Sequence, residues 1–149
     1  TTERDQPIFK QEVVEVFLDD DRDGIGYVEI EVSPLNAVLD LFMLNRDDVR
    51  KPMFCWDCEG LVTAVVVDGD PHRRGTDDRS WTVEVAIPFA EMLTAPHIPP
   101  QPGDVWRANF YRIDRAEDGD EYSAWSPTFR RNYHTPKRFG RLVFSGRCV

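Results

Sequence analysis

WTVEVAIPF (81–89) and VWRANFYRIDR (105–115) decide the fold, because in both stretches apolar side chains recur at every second position. A period of two is that of a half-buried strand, not of a helix. Working outward, VVEVFLDDDRDGIGYVEIEV (13–32) repeats the alternation on either side of an Asp- and Gly-rich segment, 19–26, whose composition suits a hairpin turn. The strand-like segments are 13–18, 27–32, 36–44, 61–67, 81–87, 106–113 and 141–144. Segment 61–67 is apolar on both faces, which predicts a central strand. Residues 89–93 fit one helical turn. APHIPPQPG (95–103) has four prolines and so lacks the backbone donors of regular structure. With helical periodicity almost absent, the expectation is an all-β chain forming one domain over residues 1–149, an antiparallel β-sandwich.

Composition narrows the function. Across 149 residues, 18 Lys and Arg stand against 27 Asp and Glu, a net charge of -9. That field repels phosphate backbones and anionic lipid but leaves a neutral partner such as a sugar unaffected. No apolar run approaches the roughly 20 residues that span a bilayer. The first residues lack the pattern of a signal peptide, so export to the periplasm or the outside requires a signal beyond this chain. Cys55 and Cys58 have C-x-x-C spacing, with Cys148 left over. A zinc ribbon needs a second ligand pair, and a thioredoxin-like site needs the pair to open a helix after a strand. Neither context is present, and whether the two cysteines are paired stays open.

Carboxylates are the residues that raise questions of chemistry. Glu15 shares a strand face with Val13 and Phe17, where a carboxylate is costly unless paired or hydrogen-bonded. It reads either as a structural ion pair with Arg107 or Arg112, or as a rim carboxylate accepting hydroxyl hydrogen bonds. Glu84 reads as a structural pair, with Arg112 as its partner. A glycosidase needs two carboxyls about 5 to 10 Å apart, a distance that sequence does not supply. Asp19, Asp21, Asp23 and Gly24 form a D-x-D-x-D-G run. An EF-hand would place Glu at the twelfth position, where Ile30 stands, and helices where strands are expected. Arg107, Asn109 and Tyr111 share one side of their strand, a cluster of donors and acceptors.

Taken together, WTVEVAIPF, VWRANFYRIDR, VVEVFLDDDRDGIGYVEIEV and the aromatic-rich WSPTFRRNYHTPKRFGRLVF (125–144) resemble the carbohydrate-binding module family 9-like domains, of the DOMON-like superfamily. The resemblance implies a β-sandwich that binds sugars without cleaving them, commonly beside a glycoside hydrolase domain. It implies stacking of a glycan end between two aromatic residues, which fall here on Phe9 and Tyr133 in place of two tryptophans. It also implies ligand contacts from Glu15 and Asn109. Tyr111 stands where sugar-binding members carry an amide, and Glu29 where they carry an arginine. Trp125 matches a core position. Structural calcium held by Asp19, Asp21 and Asp23 follows from the same resemblance. The match begins in the middle of the family pattern, so the expectation is a sandwich lacking N-terminal strands, completed by another chain if at all.

Two other readings stand beside this one. Related cytochrome-type sandwiches bind haem, for which Met43, Met53, Met92, His72, His97 and His134 are the available ligands. A structural or assembly domain with a degenerate sugar site would also account for the loss of both tryptophans.

Overall fold

Alternation along β1 (Val13–Asp19), β2 (Gly26–Val32) and β7 (Val105–Asp114) builds the centre of the molecule. In the computed structural model, which describes residues 1–47, 49–72, 79–115 and 119–146, these strands pair antiparallel in the order β2-β1-β7. β3 (Val38–Arg46) and then β4 (Val49–Met53) extend the sheet beyond β2. On the other side, β8 (Glu121–Ala124) and β9 (Gly140–Val143) both pair with β7, at opposite ends of it. A second sheet contains β5 (Val62–Asp68) and β6 (Ser80–Ala86). The all-β, antiparallel expectation is met.

Register assigns each side chain to a face. With Glu15 opposite Glu31 and Tyr111, the odd residues of β1, β2 and β7 share one side and the even residues the other. The even side is apolar: Val16, Leu18, Val28, Ile30, Trp106 and Ala108 form a core against Val65, Val83 and Val85 of the second sheet. On the odd side Val13, Phe17, Tyr27, Leu39, Leu41 and Tyr111 form a second core. It is covered by Ile8 from a 3-10 turn and by Tyr133 and Phe139 from the segment between β8 and β9. Phe17 lies at its centre, in ring contact with Tyr27, Tyr111, His134 and Phe139.

Three expectations change. Segment 61–67 is not a central strand: β5 alternates, and Val62 and Val66 are 64% and 72% exposed on the outer face. Its valines reflect β propensity on an open face and not burial on both. Two strands escape sequence reading. β4 carries Arg50, Lys51 and Pro52 and is tolerated because it lies at an edge, while β8 has four residues. Glu84 points outward, away from any pairing with Arg112, whose guanidinium instead meets Glu12 and Asp114. The helical turn expected at 89–93 is a 3-10 turn at Phe89–Glu91.

Phe17→Ala removes the ring about which the odd-side core is arranged. The expected loss of stability is about 3–5 kcal/mol in a urea denaturation series, with the midpoint falling and the slope unchanged.

Candidate functional site

A cavity of about 640 Å³ opens on the odd side of the large sheet, the side the second sheet leaves free. That volume lies within the range of small-molecule sites. Strands β1, β2 and β3 supply its floor through Glu15, Glu29, Glu31, Leu39, Leu41 and Met43. Phe9, Phe54, Tyr122 and Tyr133 are aromatic residues of its walls, and Arg50, Arg115 and Arg131 also line it.

The floor is acidic for a simple geometric reason. Glu29 and Glu31 are two apart on β2 and face the same way, and Glu15 is the cross-strand partner of Glu31. An oxygen from each of the three carboxyls lies within 4.8 Å of the other two. All are buried, at 3%, 5% and 1% exposure for Glu15, Glu29 and Glu31. Oε2 of Glu29 and Oε2 of Glu31 have no hydrogen-bond partner. Burial pushes Glu15 up to about 8, with repulsion from Glu29 adding to it and Arg115 opposing. Burial likewise raises Glu29 to about 7, against the pull of a Glu31 hydrogen bond and of Arg50. Glu31 is raised to about 10 by burial and then by the charges of Glu15 and Glu29. Neither Arg107 nor Arg112 pairs with Glu15, and so that structural reading falls away.

The walls are held from behind. The Tyr133 ring stacks on Tyr111 at 4.0 Å, and its hydroxyl donates to the carbonyl of Arg112 at 2.7 Å. The Tyr111 hydroxyl donates to the Tyr133 carbonyl at 2.9 Å, and Nδ2 of Asn109 donates to the Tyr111 hydroxyl at 2.8 Å. Asn109 also accepts the backbone N–H of Ser126 at 2.8 Å, which anchors the segment that carries Tyr133. Beside it Tyr122 meets the Tyr133 ring edge-on at 6.2 Å, and Arg115 donates to the carbonyl of Phe9 at 2.8 Å and to the hydroxyl of Tyr122 at 2.8 Å, and pairs with Asp120. Arg131 stacks over the Tyr122 ring at 3.9 Å.

Of the residues selected from sequence, Phe9, Glu15 and Tyr133 therefore line one cavity. Asn109 and Tyr111 lie behind its wall as supports, and Arg107 sits opposite Asp19, away from the lining. Trp125 is in neither core nor cavity: it is half-exposed and packs on Phe110. Where Trp125 crosses Gly140, a Cβ would come within 2.3 Å of its ring. Sequence reading missed Glu31, although it stands two residues beyond Glu29 and the same period selects it. It also missed Phe54, Arg50 and Arg131, whose segments carry no periodic signal.

The other candidate ligand sets separate clearly. Asp19, Asp21 and Asp23 do converge, with an oxygen of each within 4.8 Å of the others. Oδ2 of Asp19 accepts the Gly24 N–H at 3.1 Å, whereas its buried Oδ1 has no partner. Burial, then repulsion from Asp21, raises the Asp19 carboxyl to about 7. An orphaned buried oxygen beside two further carboxylates fits a hard cation such as calcium. Cys55 and Cys58 are both free, one exposed and one buried, and Cys148 lies outside the described residues. Among the possible haem ligands, Met43 and His134 line the cavity, while Met92 belongs to the other core and His97 bonds Asp104. Nδ1 of His134 is 2.9 Å from the Tyr27 hydroxyl, and a floor of three carboxyls is a poor bed for an apolar macrocycle.

The acidic floor has a measurable consequence for stability. Below the ordinary carboxyl value of 4.5 the three groups are protonated whether the chain is folded or not. Above it the unfolded chain ionises freely while the folded floor resists, so stability drains away as pH climbs through about 7 and about 8. His134 acts oppositely: burial lowers it from 6.5 to about 4, so its contribution is lost as pH falls across that interval. Glu31→Gln should gain melting temperature relative to the parent as pH rises from 4.5 to about 8. A difference that stays flat with pH would count against an ionisation cost at the floor.

Residues 1–144 match the family model of carbohydrate-binding family 9. A crystal structure from Bacteroides uniformis ATCC 8492, of a protein proposed to bind carbohydrate, superposes with a TM-score of 0.71 at 19% identity. The alignment covers 97% of this chain and 66% of that one, and at such identity it speaks for the fold. No protein of curated function matches the chain. The strand order, the cavity and the match along nearly all the described length converge: the chain belongs to carbohydrate-binding family 9.

Proposed function

We propose that the chain is a non-catalytic carbohydrate-binding module that holds a glycan end in the cavity on the odd side of the sheet. The observation that carries this is the meeting of Phe9, Phe54, Tyr122 and Tyr133 with buried polar groups in one concavity of about 640 Å³. Sugars offer flat patches of C–H bonds that pack on aromatic faces, and a rim of hydroxyls that need polar partners. In this reading Phe9 and Tyr133 stack on the ring, and Glu15 exchanges hydrogen bonds with hydroxyls. Asn109 and Tyr111 act by fixing Tyr133, and Arg107 contributes only to the sheet.

Binding without cleavage is supported by membership of carbohydrate-binding family 9. We place the module outside the cytoplasm, as an accessory to a glycoside hydrolase domain. Among the described residues no helix is long and apolar enough to cross a membrane. The turn between β1 and β2 is proposed to hold structural calcium through Asp19, Asp21 and Asp23.

Isothermal titration against neutral mono- and oligosaccharides tests the central claim. Heat of binding is expected, with Phe9→Ala weakening it about tenfold or more, the equivalent of about 1.4 kcal/mol. Absence of heat across the panel would remove the proposal. For the turn, calcium should raise the melting temperature and a chelator should lower it. Asp19→Asn should abolish that response without altering sugar binding.

A further inference from the structure

We infer that the cavity selects a sugar whose terminal residue carries a free primary amine, the ammonium group seated on Glu15, Glu29 and Glu31. This deepens the sugar-binding reading and rests on it. The argument begins with a cost. Two carboxyls directly across a strand pair cannot both ionise without destabilising the sheet, and Glu15 faces Glu31 in that way. Buried carboxyls are ordinarily paired or fully hydrogen-bonded, yet Glu29 and Glu31 each present a buried oxygen with no partner. Both residues line the cavity that a ligand would occupy.

Among the described residues the answers to that demand are partial: Glu29 and Glu31 hydrogen-bond each other, the Phe9 N–H reaches Glu31, and Arg115 and Arg50 act on Glu15 and Glu29 from a distance. No described Lys or Arg approaches Glu15, Glu29 or Glu31 within ion-pair distance. Arg115 is committed to Asp120, Tyr122 and the Phe9 carbonyl, and Arg131 to the Tyr122 ring with Asp120 at 3.9 Å. Arg50 on β4 is exposed and acts on Glu29 only through the field. His134 brings Nδ1 to 3.8 Å from Oε2 of Glu29, but burial keeps that imidazole neutral.

The missing group is a small cation with several donors. An ammonium has three N–H bonds in tetrahedral array, and acceptors at ordinary hydrogen-bond distance around it stand about 4.6 Å apart. The three carboxyl oxygens lie within 4.8 Å of one another. A bare divalent cation would accept the same oxygens but would leave the aromatic walls without an occupant. A hexosamine uses both, with its ring against Phe9 and Tyr133 and its amine on the floor.

Protons report the event. Burial and mutual repulsion keep the empty floor largely protonated at neutral pH, so an arriving ammonium expels a proton to solvent. The charged or titratable groups that line the cavity around the floor are Arg50 from β4, Arg115 just beyond β7, Tyr122 from β8, and Arg131, Tyr133 and His134 from the segment before β9.

The test is calorimetric titration of the full chain at pH 7 with three β-1,4-linked disaccharides: glucosamine, N-acetylglucosamine and glucose, alongside calcium chloride alone. The amine-bearing disaccharide should bind about tenfold or more tightly than either other sugar. Repetition in two buffers of different ionisation enthalpy should show proton release for that ligand only. Glu29→Gln, with Glu31→Gln as a second variant should the first fold poorly, should erase the preference, bringing the amine-bearing disaccharide down to the affinity of the glucose one. Equal or tighter binding of the glucose disaccharide overturns the inference and leaves the sugar-binding reading standing. Silence with all three sugars overturns both. Calcium binding that Glu29→Gln abolishes, without an amine preference, makes the floor a metal site and overturns it as well.

Discussion

The two-residue pleat of β1, β2 and β7 is the constraint from which the remainder follows. These strands send Val16, Leu18, Val28, Ile30, Trp106 and Ala108 to one side, and Glu15, Phe17, Tyr27, Glu29, Glu31, Asn109 and Tyr111 to the other. A slip of one residue would drive Glu15, Glu29 and Glu31 into the apolar layer beneath the second sheet. Register is therefore fixed by the penalty for burying charge on the wrong side as much as by the gain from burying valine. The same rule that forms the even-side core delivers three acids and a set of aromatics to the odd side.

That odd side is not a simple core. Its end near β9 is filled by Phe17, Tyr27, Tyr111 and Phe139, rings in mutual contact. Its other end stays open over the acids. The division runs between Tyr111 and Tyr133, whose rings stack: Tyr111 belongs to the packed cluster and Tyr133 forms the cavity wall. Asn109 explains why such a wall is rigid: from within the sheet it holds both Tyr111 and the Ser126 backbone. A polar residue with every bond satisfied costs little in burial and fixes one arrangement of the loop.

Much of this was legible in the sequence, and the failures have physical causes. Periodicity located the strands that alternate between core and solvent, and Phe9, Glu15 and Tyr133 were assigned to one site through the family pattern. Periodicity misjudged β5, because valine favours an exposed strand as well as a buried one. It passed over β4, an edge strand carrying Arg50, Lys51 and Pro52 with four exposed residues of five. Arg107 shares its strand side with Asn109 and Tyr111, yet only the latter two reach Tyr133 through hydrogen bonds; strand parity gives the side but not the depth along it. Phe54 and Arg131 come to the cavity through tertiary folding alone.

The acidic floor is where local consistency breaks, and the break is informative. Facing glutamates weaken a sheet, and burial without partners weakens it further. A sequence shaped for stability alone would place apolar residues at 15, 29 and 31, as the neighbouring Leu39 and Leu41 show the floor can accept. Sites that violate the rule obeyed elsewhere in the same sheet are where binding is carried. Neutral sugars would be served by one or two such groups, as acceptors for hydroxyls. Three converging carboxyls, two of them with a buried oxygen that lacks a partner, exceed that requirement and match a ligand that brings charge of its own.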